Sequence, residues 1–148
     1  MIRLAGRFLR RPASDRWLLV RTLALHACVA SLLRVVRFGR VTRWLEGAGP
    51  QSVDQERPLE FAVTERIIWA VRQATALAPW GRTCLTEALT AAVLLRRSGC
   101  RDAELRYGVA PGDGAGLVAH AWLEYRGTVI LGRSVRPYAA LRGSGRTA

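Results

Sequence analysis

Trp80-Gly81-Arg82-Thr83-Cys84-Leu85-Thr86-Glu87-Ala88-Leu89 decides the fold of this chain. Thr83 is a good helix N-cap, and Leu85, Ala88, Leu89, Ala92 and Leu95 follow at helical intervals, with Val93 at the edge of the stripe. Arg96-Arg97-Ser98-Gly99 then supplies basic residues for a last turn and a glycine stop. The pattern predicts a helix from Cys84 to about Ser98, with the thiol at its N-terminus.

Beyond this helix the periodicity changes from helical to two. Glu104 to Val109 alternates, Val118 to Tyr125 alternates again, and Arg126-Gly127 predicts a tight hairpin into Thr128-Val129-Ile130-Leu131. The second strand puts His120, Trp122 and Glu124 on one face. Gly112-Asp113-Gly114-Ala115-Gly116 joins two strands, so it reads as a hairpin loop; a phosphate-binding loop would lead into a helix. The tail after Tyr138 is small, Gly-rich and basic, and is expected to fray.

On the N-terminal side, Ser14-Asp15 offers a cap for a helix to about Val36, with Leu18, Leu19, Thr22, Leu25, Cys28 or Val29, Leu32 and Val36 at helical spacing. His26 on it reads as a half-buried helix histidine with no partner nearby. A further helix is expected over Glu60 to Leu77, with Ile67, Ile68, Val71 and Ala74 on one face. Gly47-Ala48-Gly49-Pro50-Gln51-Ser52 is turn chemistry between the two helices. The organisation is therefore α+β. An Arg-rich helical segment (1–50), packed on the core or on a partner, precedes a core over 51–148, all within one compact domain.

With 148 residues, half of them hydrophobic, the chain can bury a real core. The net charge is +12, and every basic residue is Arg. Nucleic acid, anionic lipid or an acidic protein or peptide would satisfy that charge. The arginines are scattered, and no helix-turn-helix or RNA-binding aromatic motif accompanies them, so no nucleic-acid partner is expected. Cys28, Cys84 and Cys100 match neither paired CxxC spacing nor a disulfide framework. Free thiols in the cytoplasm, with no metal and no cofactor, are the expectation. Only Thr22 to Leu33 of the first helix is free of formal charge, too short to span a bilayer but leaving membrane contact open.

The chemistry rests on Cys84 and His120. A helix N-terminus presents unused N–H groups and a partial positive charge, both of which favour a thiolate nucleophile. An imidazole on a neighbouring strand could take the thiol proton and return it to a leaving amine, and the Cys84 N–H could hold an oxyanion. Such a thiol facing such an imidazole is the arrangement of papain-like and transglutaminase-like cysteine enzymes. Trp80 and Trp122 lie close in sequence to the two and are candidate substrate-groove aromatics; an indole N–H could also serve an oxyanion. Acyl transfer to water and to an amine use the same pair, so the residues leave both open.

Four stretches together resemble the transglutaminase-like leader peptidase of lasso peptide biosynthesis, the protease half of a split B protein. They are Cys84-Leu85-Thr86-Glu87-Ala88-Leu89, Leu94-Leu95-Arg96-Arg97-Ser98-Gly99, Tyr107-Gly108-Val109 and Ala119-His120-Ala121-Trp122-Leu123-Glu124-Tyr125-Arg126-Gly127, spanning residues 84–127. The resemblance implies a papain-like core that cuts the leader from a lasso precursor, with Cys84 as nucleophile and His120 as general base. It implies a small leader-recognition protein and an ATP-dependent macrolactam cyclase as partners.

One member of that family's catalytic set is missing. The family places an Asp about a dozen residues after the His; Gly132 stands near there, and no Asp, Glu, Asn or Gln follows Glu124. Glu124 shares the His120 face but lies four residues on, roughly 13 Å along a strand. A backbone carbonyl or a partner's carboxylate would have to orient the imidazole. A catalytically impaired binding or scaffolding module in the same complex is the alternative reading.

Overall fold

The computed structural model describes residues 12–37, 39–41, 61–78, 82–100, 102–112, 116–134 and 137–141. In chain order the described elements are helices α1 (Ala13–Val35), α2 (Phe61–Leu77) and α3 (Cys84–Arg97), then strands β1 (Ala103–Pro111), β2 (Leu117–Tyr125), β3 (Thr128–Leu131) and β4 (Ala139–Ala140). Helices gathered on an antiparallel sheet give the expected α+β architecture. The loop over Gly47 to Ser52 and the Pro79-Trp80-Gly81 turn lie outside the described residues.

Helix α3 is the centre of the molecule. It packs on α1 and α2 and also on β1 and β2. Burial therefore goes well beyond a single stripe: Thr86, Ala88, Leu89, Thr90, Ala91, Ala92, Leu94 and Leu95 are all buried. Its far end stops as its residues indicate, with Ser98 at the C-cap and Gly99 in the left-handed region at φ 90°. Ile67, Ile68 and Val71 of α2 join Ala121 and Leu123 of β2 and Leu131 of β3 in one core cluster around it.

The sheet order is β3-β2-β1-β4. β1 and β2 pair antiparallel with Gly108 opposite His120 and Arg106 opposite Trp122. Arg126 and Gly127 both have positive φ, as a two-residue turn that matches the strand twist requires. The Gly112 N–H bonds to the Gly116 carbonyl at 2.8 Å, closing the loop between β1 and β2.

Several expectations need correction. α1 starts at Ala13 with Pro12 in the cap position and no side-chain cap bond, not at Ser14-Asp15. Proline has no N–H to satisfy there and its fixed φ suits helix entry. Asp15 is instead engaged by Arg66 of α2 at 2.6 Å. The tail does not fray straight after Tyr138: Ala139 and Ala140 pair with Val109 and Gly108.

His26 is fully buried, not half-buried, and its Nδ1 lies 3.4 Å from Thr90 Oγ1. The Thr90 hydroxyl donates to the Thr86 carbonyl at 2.7 Å, so in the longer contact His26 is the donor. Leu32 turns outward while Val29 and Ala30 turn in. α1 is apolar nearly all round, so periodicity alone does not fix which side faces the core.

Candidate functional site

Cys84 is the first residue of α3 and is half-buried. Thr83 caps the helix: its Oγ1 accepts the Thr86 N–H at 3.0 Å and contacts the Thr86 hydroxyl at 2.7 Å. The Glu87 N–H is bonded to the Thr83 carbonyl at 3.1 Å. Those bonds satisfy the third and fourth N–H groups of the helix and leave those of Cys84 and Leu85 outside its own ladder. A developing negative charge beside the thiol would meet these donors and the positive end of the dipole.

His120 sits on β2. Ala121 and Leu123 on either side of Trp122 point into the helical core, so His120, Trp122 and Glu124 share the other face. The His120 Nε2 lies 2.6 Å from the carbonyl oxygen of Gly132. A carbonyl only accepts, so Nε2 carries the proton, and Nδ1 presents a lone pair in the neutral ring. The backbone of Gly132, near where the resemblance leads one to expect an Asp, thus orients the imidazole. Gly132 has φ 80°, and a Cβ there would lie 2.9 Å from the Ala121 carbonyl oxygen and 3.0 Å from Trp122 Cβ. Glycine is what lets the carbonyl come so close to the ring.

Aromatic rings hold the imidazole face. Tyr138 stacks on His120 with centroids 4.9 Å apart and planes at 29°, and Trp122 lies 6.1 Å away at 18°. The three rings and Gly132 line a cleft of about 220 Å³ together with Glu124 and Arg133. Gly108 makes this cluster geometrically available. It faces His120 across the β1–β2 pair, and a Cβ on it would lie 2.6 Å from the Ala139 carbonyl oxygen. Without that Cβ, β4 closes on β1 and delivers Tyr138 to the ring.

Glu124 serves the same cluster indirectly. It accepts the Trp122 indole N–H at 2.8 Å and the Arg106 guanidinium at 3.1 Å, while Arg106 also pairs with Glu104 at 2.7 Å. Glu104 and Glu124 face each other in register, and Arg106 neutralises that like-charge pair. The Trp122 indole N–H is spent on Glu124, which corrects the idea that it could serve an oxyanion. Trp80, the other aromatic candidate, lies outside the described residues.

Glu87 is the acidic residue of the first turn of α3. It lies three residues after Cys84, one turn along α3. Burial pushes its carboxyl above the ordinary 4.5, with Arg72 and then the His120 imidazole pulling it back. The first turn of α3 and the ring of His120 are therefore within electrostatic reach. Among the described residues no hydrogen bond joins Cys84 to His120, and Cys84 is not among the residues that line the cleft beside the imidazole. Tyr138, the Gly132 carbonyl and Glu87 are the parts that sequence reasoning missed. A glycine in the middle of β1 was the available signal, since it marks close approach of another backbone.

The remaining cysteines stand apart. Cys100 is buried in the core cluster, its thiol pushed up chiefly by burial, and Cys28 is exposed on α1. Among the described residues no three His, Cys, Asp or Glu side chains gather to hold a metal ion. The parts suit nucleophilic acyl chemistry: a thiol at a donor-rich helix end, a tautomer-fixed base on β2, and an aromatic wall beside that base.

Residues 20–142 match the family model described as the transglutaminase-like superfamily. The match takes in α1 to β4 apart from the first residues of α1 and includes Cys84 and His120. No curated protein and no solved structure matches the chain.

Proposed function

Since the chain belongs to the transglutaminase-like superfamily, we propose that it is a cysteine peptidase that removes the leader from a lasso peptide precursor. The observation that carries the reading is the 2.6 Å bond from His120 Nε2 to the Gly132 carbonyl. It leaves Nδ1 of the neutral ring as a proton acceptor, to which we assign the thiol proton of Cys84 at the N-terminus of α3.

In the reaction, Nδ1 takes the Cys84 thiol proton and the thiolate attacks the last carbonyl of the leader. The Cys84 N–H and the helix end stabilise the oxyanion. The imidazolium then protonates the amine of the core peptide as the C–N bond breaks, leaving the leader as a thioester on Cys84. Water, deprotonated by the same Nδ1, releases the leader acid and restores the thiol. The freed amine becomes the substrate of an ATP-dependent macrolactam cyclase. A small leader-recognition protein presents the precursor, and the setting is the cytoplasm. This specificity is supported by the motifs over residues 84–127.

A mass-spectrometric cleavage assay tests the reading, with the neighbouring precursor and its leader-binding partner. One leader cut by the wild type, lost in both Cys84→Ala and His120→Ala, is the expected result. A second reading, a scaffolding module in the same complex, is favoured by the absence of a Cys84–His120 hydrogen bond. Assembly of the complex with no cut by the wild type would select it.

A further inference from the structure

We propose that the outward face of α1 docks on an anionic lipid surface. This inference is independent of the peptidase reading. It begins from a helix that is apolar on two opposite sides. Leu19, Thr22, His26, Val29 and Ala30 face the core. Trp17, Val20, Ala24, Cys28, Leu32 and Val35 run down the other side at spacings of 3, 4, 4, 4 and 3 residues, all exposed. Trp17 is 64 % exposed and Val35 86 %. Single exposed apolar residues are ordinary, but this row is continuous over roughly 27 Å of helix.

Charge identifies the occupant. The chain carries +12, and Asp15 is the one acid in α1, where it is already engaged by Arg66. Arg21 lies within the outward face, and Arg37 and Arg40 are exposed just beyond its C-terminal end. An apolar strip with guanidinium groups inside and beyond it matches a bilayer interface. Apolar side chains enter the acyl boundary while arginines reach up to headgroup phosphates, and an exposed Trp suits that depth. By length and composition α1 could cross a membrane, yet its core-facing side is bound to α2 and α3. It therefore lies flat on the surface, since spanning would strip Leu19, His26 and Val29 from the domain.

The test is co-sedimentation of the full chain with phosphatidylcholine vesicles and with mixed phosphatidylcholine–phosphatidylglycerol vesicles. Wild type is expected to sediment with the mixed vesicles only, less so at high salt. The triple variant Trp17→Ser, Val20→Ser, Val35→Ser, with unchanged circular dichroism and melting, is expected to lose partitioning by about tenfold or more. Arg21→Gln with Arg37→Gln is expected to weaken it as well. The proposal is overturned if wild type ignores the mixed vesicles or the triple variant binds them equally. It is also overturned if the face is shown to join two copies, wild type being a dimer that the triple variant returns to monomer without any lipid binding.

Discussion

The imidazole of His120 is held through Nε2 by the carbonyl oxygen of Gly132, 2.6 Å away. A carbonyl fixes ring orientation and tautomer as a carboxylate does, but it brings no formal charge to the imidazolium that forms in the reaction. The neutral ring is expected to be the Nε2–H tautomer. Long-range nitrogen–proton correlation spectra of histidine-labelled protein report this directly, and an Nδ1–H tautomer at His120 would remove the basis of the proposed proton transfer.

Gly132→Ala tests the same bond from its other end. A Cβ would be forced to 2.9 Å from the Ala121 carbonyl oxygen at a φ of 80°. The strain should cost about 1–3 kcal/mol, visible as a lower urea midpoint. Leader cleavage should fall further than stability does, because relief of the clash moves the carbonyl off the ring. A variant as stable and as active as wild type would show that the carbonyl's approach has no consequence.

Tyr138 packs its ring on His120 at 4.9 Å, so it is expected to act through the imidazole as a positioning residue. Tyr138→Phe keeps the stacked face and should retain most activity. Tyr138→Ala frees the ring to leave its rotamer and should lower kcat about tenfold or more while KM changes little. An equal loss for both variants, or a change confined to KM, would place the tyrosine's role in substrate contact instead.

Local signals explain what the sequence made legible. Thr83, the spacing after Cys84 and Gly99 each act within one turn, and the strand alternation shows directly that His120 and Trp122 share a face. Contacts made across the sheet carried no such mark. Every residue has a carbonyl, so nothing singles out that of Gly132. Tyr138 is 18 residues beyond His120 and reaches it only because β4 closes over Gly108. The burial of His26 depends on Thr90 of α3, 64 residues away. For α1, two apolar faces left Cys28 and Val29 equally eligible for the core, and only tertiary packing chose Val29.

Glu87 should give the fold a recognisable pH dependence. Burial raises its carboxyl above 4.5, against the pull of Arg72 and His120. Between 4.5 and the raised value the folded chain holds a proton that the unfolded chain has released. Stability contributed by this group therefore falls as pH rises through that window and levels off above it. Urea denaturation across mildly acidic pH should show the slope in wild type and a flatter profile in Glu87→Gln. Identical profiles would mean that burial of this carboxyl costs the fold nothing.

Thiol reactivity should follow burial among the three cysteines. Cys28 is exposed, Cys84 half-buried and Cys100 buried with its thiol pushed up by desolvation. Only a thiolate reacts with iodoacetamide at a useful rate, so Cys100 should stay unmodified until the domain unfolds. Cys28 should label without affecting leader cleavage. Label at Cys84, quantified by peptide mass spectrometry, should track loss of cleavage one to one if the proposed role holds, because alkylation blocks the thiol to which the attack is assigned. Activity that survives full modification of Cys84 would end the case for this residue as the attacking thiol and move the chain to the scaffolding reading.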